Sequence, residues 1–334
     1  MSLGEFDLIK HYFQDKTIIK DNGVSLGIGD DCAILDVPDG HQLAVSTDSL
    51  VCDVHFFADV DPYRLGYKAL AVNLSDLAAM GATPKWVSLA ITLPDMDELW
   101  LAEFSRGFFE LADKFNMSLV GGDTTKGPLS ITVSVKGIVP RGLALQRDQA
   151  KMGDLICVSG NLGDGGVGLA CKLKETRVEN KQYFIDALEL TEPRIELGLI
   201  LRTLASSCID ISDGLTQDLK HILKASHCSA QLDIDKLPLS PVLTNEVTVA
   251  AVSHKHALQY ALTGGDDYEL LFTISADNLC QLQRQIQQNN AGQSDITVIG
   301  SICQQQQPLI QLFEDNQPVS FSQQGWDHFQ QGKK

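Results

Sequence analysis

The chain has 334 residues, a length that fits two domains better than one core. Apolar residues make up 44% of it and charged residues 21%, and no apolar run approaches the roughly 18 residues that a membrane-spanning helix needs. The formal net charge of −17 disfavours a nucleic-acid partner, because no Lys/Arg cluster offsets the repulsion from phosphates. We therefore expect a soluble globular protein that binds neither nucleic acid nor membrane.

The first residues favour a cytoplasmic location, and the cysteines lack the spacing of a metal or redox motif. The stretch MSLGEFDLIKHYF has no basic start followed by an apolar segment, so no secretory signal is visible. The 8 cysteines contain no C-x-x-C pair, which argues against a zinc ribbon or a redox motif. We expect these thiols to be free and buried.

Hydrophobic spacing predicts alternating helices and strands in the first half of the chain. The predicted elements are a helix near 3–13, a strand at 41–47, a helix within 61–84, a strand at 86–93, a helix at 97–115, and strands at 117–122 and 129–139. Pro62 suits a first helical turn, and Gly81 with Pro84 marks the end of that helix. Asp48 and Asp123 would each end a strand.

A polar, turn-rich stretch at 147–154 marks the predicted domain boundary, with domains at residues 1–148 and 149–334. The second domain begins with a strand at 155–160 and a glycine-rich turn, NLGDGGVGLACKL. The backbone N–H groups of this turn could hold a phosphate, but no Lys-Ser/Thr pair follows, so a plain strand-to-helix turn is the simpler interpretation. The later predictions are helices at 191–205, 254–265 and 276–288, the last capped by Ser275, and a turn at QQQQ, 304–307.

Six aspartates recur at turns, strand ends and one helix. They are Asp30, Asp48, Asp76, Asp123, Asp210 and Asp213. Each alone is a common turn former or helix cap, but carboxylates delivered from strand ends can be held as rigidly as a metal cluster requires. An acidic chain that binds a phosphate ligand needs a cation, and oxygen ligands suit Mg²⁺. None of the six follows an EF-hand loop, so the ligands would come from distant segments.

The acids alone leave more than one function open. A structural or regulatory metal-binding module would bind metal without turning over nucleotide. A two-metal phosphohydrolase would pass the phosphoryl group to water. By themselves, His55 is most simply an ordinary strand histidine, and Trp326 an aromatic packed on the core.

Eight segments, in chain order, resemble the thiamine-phosphate kinase family of the aminoimidazole ribonucleotide synthetase-like superfamily. They are GEFDLI, GIGDDCAIL, STDSLVCDVHF, NLSDLAAMGATP, GGDTTKGPLSITV, IDISDGL, GGDDYEL and GWDHF, and they extend from residue 4 to 329. The resemblance implies a mixed α/β (α+β) fold of two domains. The amino-terminal domain, a sheet with helices, would bind ATP and Mg²⁺ and form a homodimer through its sheet. The carboxy-terminal α/β domain would complete the ATP and substrate site.

The resemblance also implies the reaction, in which ATP donates its γ-phosphoryl group to thiamine monophosphate in the last step of thiamine diphosphate biosynthesis. The transfer would be direct and in line, assisted by several Mg²⁺ ions. The implied Mg²⁺ ligands are Asp30, Ser46, Thr47, Asp48, Asp76, Asp123, Asp210 and Asp213. The implied ATP contacts are Gly122, Asp123, Arg147 and Ser212, and the implied substrate contacts are His55, Asp266 and Trp326. Beyond the metal cluster, only Arg147 would have a catalytic role.

The residue types agree with this chemistry. The acceptor is a phosphate oxygen that is already anionic, so no general base is needed, and catalysis consists mainly of positioning and charge neutralisation. Asp30 is then a ligand and Asp31 a local turn residue. One departure is Asp266, where the family often has Glu.

Other members of the superfamily are the nearest rivals. The reactive Cys or selenocysteine motif of selenophosphate synthetase and the cysteine-containing tail of the hydrogenase maturation protein are absent from the sequence. Aminoimidazole ribonucleotide synthetase is not excluded by composition.

Overall fold

The chain folds into two compact units in the computed structural model, which describes residues 9–17, 22–289, 295–323 and 325. The first unit comprises the described residues up to Leu77 together with Ala82–Ala144. The second comprises Ala78–Gly81 and the described residues from Leu145 onward. This division lies close to the predicted boundary between residues 148 and 149. The functions assigned to the two domains remain predictions.

The first unit consists of a four-stranded sheet, a small two-stranded sheet and two helices. Its elements are a π-helical turn (Lys10–Gln14), β1 (Val24–Leu26), β2 (Ile34–Leu35), β3 (His41–Val51), α1 (Pro62–Ala79), β4 (Thr83–Leu93), α2 (Glu98–Lys114), β5 (Ser118–Lys126) and β6 (Ser130–Pro140). The helix predicted near 3–13 lies partly outside the described residues, and its described part is the π-helical turn. The other helices and strands predicted for this half are confirmed as to type, but two strands end later than predicted.

The larger sheet has the strand order β3-β6-β4-β5. Strands β4 and β5 are parallel and are joined through α2, as a parallel pair requires, and the other pairs are antiparallel. Helix α2 begins after Asp97, whose carboxylate accepts the N–H groups of Leu99 and Trp100 at 3.0 Å. Alternate strand residues such as Leu89 and Val133 are buried in the core.

The opposite side of this sheet is rich in small hydroxyl side chains. We call it the hydroxyl face and define it by Thr47, Ser49, Ser88, Thr132 and Ser134. Thr47 Oγ1 donates to Ser134 Oγ at 2.9 Å, and Ser49 and Thr132 share a hydrogen bond of 2.7 Å. Beside them on β3, Val45 is 57% exposed. Lys136 of β6 also reaches this face, where its Nζ donates to Ser88 Oγ at 2.7 Å.

The second unit is built on one mixed sheet with seven helices among its described residues. Its strands are β7 (Leu155–Ser159), β8 (Ala205–Asp210), β9 (Ser229–Asp233), β10 (Leu270–Ile274), β11 (Ile296–Cys303), β12 (Ile310–Glu314) and β13 (Gln317–Val319). Its α-helices are α3 (Asp164–Lys172), α4 (Lys181–Glu189), α5 (Ile195–Leu201), α6 (Leu215–Ala225), α7 (Pro241–Thr248), α8 (His254–Thr263) and α9 (Ala276–Asn289), and a 3₁₀ turn covers Ile234–Lys236.

The strand order of this sheet is β13-β12-β9-β11-β7-β10-β8, with β9 and β12 parallel and the other neighbours antiparallel. Leu219 of α6 and Leu262 of α8 pack with strand residues such as Val158 in one fully buried core. The cap predicted for α9 is confirmed, because Asn278 N–H donates to Ser275 Oγ at 3.3 Å. The glutamine run lies between β11 and β12, as predicted.

Two local expectations differ from the structure. The predicted helix at 191–205 is reduced to α5, Ile195–Leu201. All eight cysteines are free, but only four of them are buried, and Cys32 and Cys280 are exposed. Within the described ranges, no helix combines the length and the apolar character needed to span a membrane.

Candidate functional site

Strand β3 and helix α1 bring together Ser46, Asp48 and Asp76, three of the predicted metal ligands. Ser46 Oγ donates to Asp76 Oδ2 at 2.5 Å, and the Asp48 N–H donates to the side-chain oxygen of Asn73 at 3.1 Å. Asn73 is held in turn by Ala69, whose carbonyl accepts its Nδ2 at 3.1 Å. Side chains three residues apart on a helix share a face, so Asn73 and Asp76 both point toward β3.

The two carboxyl groups of this cluster disfavour each other's charge. Burial, followed by the neighbouring Asp76 carboxylate, raises the pKa of Asp48 to about 6. A cation held between two such groups would stabilise the charged form of both. The cluster therefore has the oxygen donors and the excess negative charge of a site for a hard divalent cation.

The prediction that Asp48 ends a strand is wrong, because β3 continues to Val51 and pairs with β6 along its whole length. Ladder hydrogen bonds use only the backbone, so a charged side chain on an edge strand does not end the pairing. One consequence concerns Thr47, whose side chain lies on the hydroxyl face and donates to Ser134. Its hydroxyl group is thus on the opposite side of β3 from the Ser46 and Asp48 cluster.

Gly122 and Asp123 lie within β5, which continues to Lys126, so the expectation that Asp123 ends its strand is also wrong. Both residues are exposed. Gly122 has a φ of 156°, and a Cβ at this position would lie 1.7 Å from the carbonyl oxygen of Leu89. Only glycine therefore permits the close approach of β5 to β4 at the predicted ATP contact.

Asp30 and Asp31 lie in the turn between β1 and β2. The Asp31 N–H donates to Asp30 Oδ1 at 2.8 Å, directly after Gly29 with a φ of 128°. Both acids are exposed. The contact agrees with the expected local turn role of Asp31.

His55 follows β3 by four residues, and its ring orientation is set by the backbone. The Val51 N–H donates to His55 Nδ1 at 3.0 Å. In the neutral ring the proton therefore resides on Nε2, which can donate to an anion.

In the second unit, the turn after β8 presents Ser212 and Asp213, and Asp210 is the last residue of the strand. The N–H groups of Ser212, Asp213 and Gly214 all donate to Asp218 Oδ2 at 3.1 Å. Burial, followed by the charges of Asp210 and Asp213, raises the pKa of Asp218 to about 8. The sequence interpretation missed Asp218; the available signal was an acid in the first turn of a helix that follows Gly214.

The GGDDYEL segment runs alongside this turn. The Asp266 N–H donates to the Ser212 carbonyl at 2.9 Å, and the Tyr268 N–H donates to the Ile211 carbonyl at 2.8 Å. Asp266 and Tyr268 have left-handed φ values of 56° and 50°, a conformation that costs energy in non-glycine residues and is common at functional sites. The second unit thus brings a predicted ATP contact and a predicted substrate contact side by side.

In the glycine-rich turn before α3, the backbone N–H of Gly163 already has an acceptor within the chain. Gly163 N–H donates to both oxygens of Asp267, at 2.9 and 3.1 Å. Burial raises the pKa of Asp267 well above its usual range. This geometry supports the simpler interpretation of a strand-to-helix turn.

Arg147 lies near helix α6, and its charge acts on His221 of that helix. Burial lowers the pKa of His221, with Arg147 and Lys224 adding to the effect and Asp213 opposing it. The Arg147 carbonyl accepts the Ser226 hydroxyl at 2.9 Å, which fixes its backbone to the end of α6.

Trp326 lies outside the described residues. Its neighbour Gly325 is described, and a Cβ on Gly325 would lie 2.3 Å from the Asp213 carbonyl oxygen. The chain therefore passes directly against the Asp213 turn one residue before Trp326.

The contacts between predicted site residues can be described within each unit separately. Within residues 9–17, 22–289, 295–323 and 325, no group of three or more His, Cys, Asp or Glu side chains could hold a metal ion. The contacts described above instead form two sets, one in each unit. They are Ser46, Asp48 and Asp76 in the first unit, and Asp210, Ser212, Asp213 and Asp266 in the second.

The family models for the two domains of AIR synthase related proteins match most of the chain. The N-terminal domain model matches residues 29–139, and the C-terminal domain model matches residues 151–308. A thiamine-monophosphate kinase of Escherichia coli (strain K12) is 47% identical over 332 residues, covering 98% of this chain and 99% of that protein.

Two solved structures are similar over nearly the whole chain. The crystal structure of the thiamine-monophosphate kinase from Stenotrophomonas maltophilia K279a has a TM-score of 0.83 at 40% identity, covering 96% of this chain and 99% of that one. AaThiL complexed with AMPPCP and TMP has a TM-score of 0.75 at 31% identity, covering 98% of this chain and 99% of that one.

Proposed function

The chain belongs to the thiamine-monophosphate kinase family, and we propose that it transfers the γ-phosphoryl group of ATP in line to the phosphate of thiamine monophosphate, assisted by Mg²⁺. ATP-dependent phosphorylation of thiamine monophosphate is the activity of this family, to which a full-length relative at 47% identity connects the chain. The observation that supports the metal-assisted form is the pairing of Asp48 with Asp76 beside the Ser46 hydroxyl.

The donor set of the first unit fits Mg²⁺, because carboxylate and hydroxyl oxygens are the ligands that this hard cation prefers. Asp48 and Asp76 would hold the ion directly, and Asp30, Asp123, Asp210 and Asp213 are proposed as further ligands, directly or through water. Magnesium sites commonly use one or two carboxylates and complete their coordination with substrate phosphates and water, so a ready cage of three acids is not required. Bound Mg²⁺ supplies positive charge to the phosphoryl oxygens.

The chain's own residues would bind and align two polyanions. Arg147 adds a permanent positive charge to the ATP side, where Gly122, Asp123 and Ser212 are the other proposed contacts. His55 would donate a hydrogen bond from its Nε2–H group to thiamine monophosphate.

The other proposed contacts of thiamine monophosphate are Asp266, whose carboxylate can approach the cationic thiazolium ring, and Trp326, an aromatic residue suited to the same ring. The accepting phosphate is already anionic, so no residue needs to act as a base.

We also propose that a second copy of the chain covers the hydroxyl face, giving a homodimer. The exposed side chains there are small, and Leu43 and Val45 beside it are 46% and 57% exposed. A flat surface of this composition fits another sheet. A cytoplasmic location is proposed as well, because ATP is the co-substrate and all eight cysteines are free.

The decisive experiment is incubation of the purified protein with ATP, Mg²⁺ and thiamine monophosphate, followed by separation of the products. Equal amounts of ADP and thiamine diphosphate are expected. Release of inorganic phosphate without thiamine diphosphate would instead identify a phosphohydrolase. Metal binding with no nucleotide turnover would identify a non-catalytic module.

A further inference from the structure

Three consecutive backbone N–H groups in the second unit share a single acceptor. Ser212, Asp213 and Gly214 all donate to one oxygen of Asp218, each at 3.1 Å. Asp218 is only 3% exposed, so water has little access to replace its carboxylate. A buried N–H group that loses its acceptor destabilises the fold, because the free energy of removing that group from water is no longer compensated.

This contact extends beyond ordinary helix capping. In a capping box, an acid in the first turn of a helix accepts the N–H of the residue that precedes the helix. Asp218 does this for Gly214, but it also accepts from two residues further upstream. Those two N–H groups belong to the turn and not to α6, so the carboxylate fixes the shape of the turn.

The other side of the turn is fixed as well. The Ser212 carbonyl accepts the Asp266 N–H at 2.9 Å, and the Ile211 N–H donates to the Glu269 carbonyl at 2.8 Å. Because these N–H groups and the Ser212 carbonyl are engaged inside the protein, the backbone of the turn is fixed, and with it the direction in which its two polar side chains leave the turn. They are the hydroxyl of Ser212 and the carboxylate of Asp213.

We propose that Asp218 is a positioning residue for nucleotide binding, holding the turn in the shape that directs Ser212 and Asp213 toward ATP and its metal. The proposal rests on the proposed function, which assigns those two residues to ATP and Mg²⁺. Asp218 acts through them and does not touch the nucleotide. Its effect is to order the turn before the nucleotide arrives, which lowers the entropy cost of binding.

The test is a graded pair of variants, Asp218→Ala and Asp218→Asn, with the matched pair Glu246→Ala and Glu246→Gln. Glu246 is a fully buried acid of the same unit that accepts the backbone N–H groups of Glu179 and Asn180, at 3.2 and 2.9 Å. It therefore reproduces the loss of a buried loop-holding carboxylate at residues with no proposed role in binding.

Affinity for the ATP analogue AMPPCP with Mg²⁺ is measured by calorimetry, and KM values are measured for ATP and thiamine monophosphate. Asp218→Ala is expected to weaken AMPPCP binding and raise the KM for ATP by about tenfold, and the KM for thiamine monophosphate by a smaller factor. Asp218→Asn, which keeps one acceptor oxygen, should recover part of the loss. The Glu246 variants should lower thermal stability without changing the KM for ATP. Equal KM changes in the two pairs, or none in the Asp218 pair, would refute the positioning role.

A second measurement does not depend on whether the variants fold. Hydrogen exchange of the 212–214 amides in the wild-type protein should be slow before any nucleotide or metal is added. Amides that exchange freely until AMPPCP and Mg²⁺ are present would overturn the proposal. Because calorimetry and exchange do not require turnover, they also separate this proposal from the proposed reaction. If thiamine diphosphate is not formed, the proposed function fails while these two results still decide the role of Asp218.

Discussion

At the scale of single residues, the Asp48 and Asp76 pair has the most direct consequence for activity. Asp48→Asn removes one charged ligand from the proposed metal site, and loss of such a ligand should lower kcat by orders of magnitude, each tenfold step corresponding to about 1.4 kcal/mol of barrier. Steady-state kinetics at saturating Mg²⁺ measures the effect.

The control for this prediction is Asp39→Asn, in the exposed turn before β3. It should leave kcat unchanged. An Asp48→Asn variant with wild-type turnover would exclude Asp48 from the metal site.

A buried acid of the second unit should produce a pH-dependent stability. Burial raises the pKa of Asp164 to about 6, although hydrogen bonds from Ser240 and Tyr183 oppose the rise. Because the folded state holds this proton more tightly than the unfolded chain, the stabilisation is complete below pH 3.8, the ordinary value, and is lost as the pH rises through about 6. The shift corresponds to roughly 3 kcal/mol at most.

Asp164→Asn, which resembles the protonated carboxyl group, should therefore gain stability relative to wild type as the pH rises from about 4 to 7. Urea unfolding midpoints of both proteins across this range measure the difference. Parallel curves for the two proteins would show that Asp164 ionises in the folded state as it does in the unfolded chain.

Sequence reasoning could predict site residues that share a face of a helix, because their spacing along the chain shows which side chains lie together. Asn73 and Asp76 share a helical face, and the structure brings that face to Ser46 and Asp48. Asp218 could not be found in this way, because a buried acid that accepts backbone N–H groups resembles an ordinary helical acid in sequence. The orientation of Thr47 could have been derived from the predicted strand at 41–47, because neighbouring residues of a strand point to opposite sides and Ser46 and Thr47 therefore cannot share a face.

At the scale of elements, the spacing of β4 and β5 depends on Gly122. Gly122→Ala would place a methyl group 1.7 Å from the Leu89 carbonyl oxygen at an unfavourable φ of 156°. The strands must then separate, so we expect the free energy of unfolding to fall by roughly 1–3 kcal/mol and the melting temperature to fall with it. The KM for ATP should rise. Differential scanning fluorimetry and kinetics measure the two effects.

The neighbouring Gly121 gives a matched control for this prediction. A Cβ on Gly121 would meet no atom within 4 Å, and its φ lies outside the left-handed region. Gly121→Ala should therefore leave both the melting temperature and the KM for ATP close to wild type. If both variants lost stability equally, close approach to Leu89 could not be the cause.

The elements that could be predicted were those whose own hydrophobic residues repeat with a clear helical or strand spacing. Helix α2 has an N-cap at Asp97 and a buried stripe that includes Phe104 and Phe108, so its bounds could be predicted within a residue. Strand ends were less predictable, because β3 and β5 continue for as long as a partner strand supplies hydrogen bonds. That partner is a property of the sheet and not of the local sequence.

At the scale of the whole molecule, the hydroxyl face determines the expected assembly. Val45→Glu places a charge beside this face, where burial in a homodimer would leave it unpaired, so the variant should sediment as a monomer of 36.4 kDa while the wild type sediments at twice that mass. Sedimentation velocity is the measurement.

Leu99→Glu, at a side chain 82% exposed on α2, is the matched control and should not change the assembly. A monomeric wild type would refute the homodimer, and a dimeric Val45→Glu variant would show that the contact lies on another surface.

The strand order of the two sheets also determines when each sheet can form during synthesis. The four-stranded sheet is complete once Pro140 has left the ribosome, so the first unit can begin to fold while the remainder is still being translated. Strand β7 lies in the interior of the other sheet, between β11 and β10, yet these partners begin only at Ile296 and Leu270. At ordinary translation rates this leaves the apolar β7 without either neighbour for on the order of 10 s, during which its unpaired edges are exposed to aggregation.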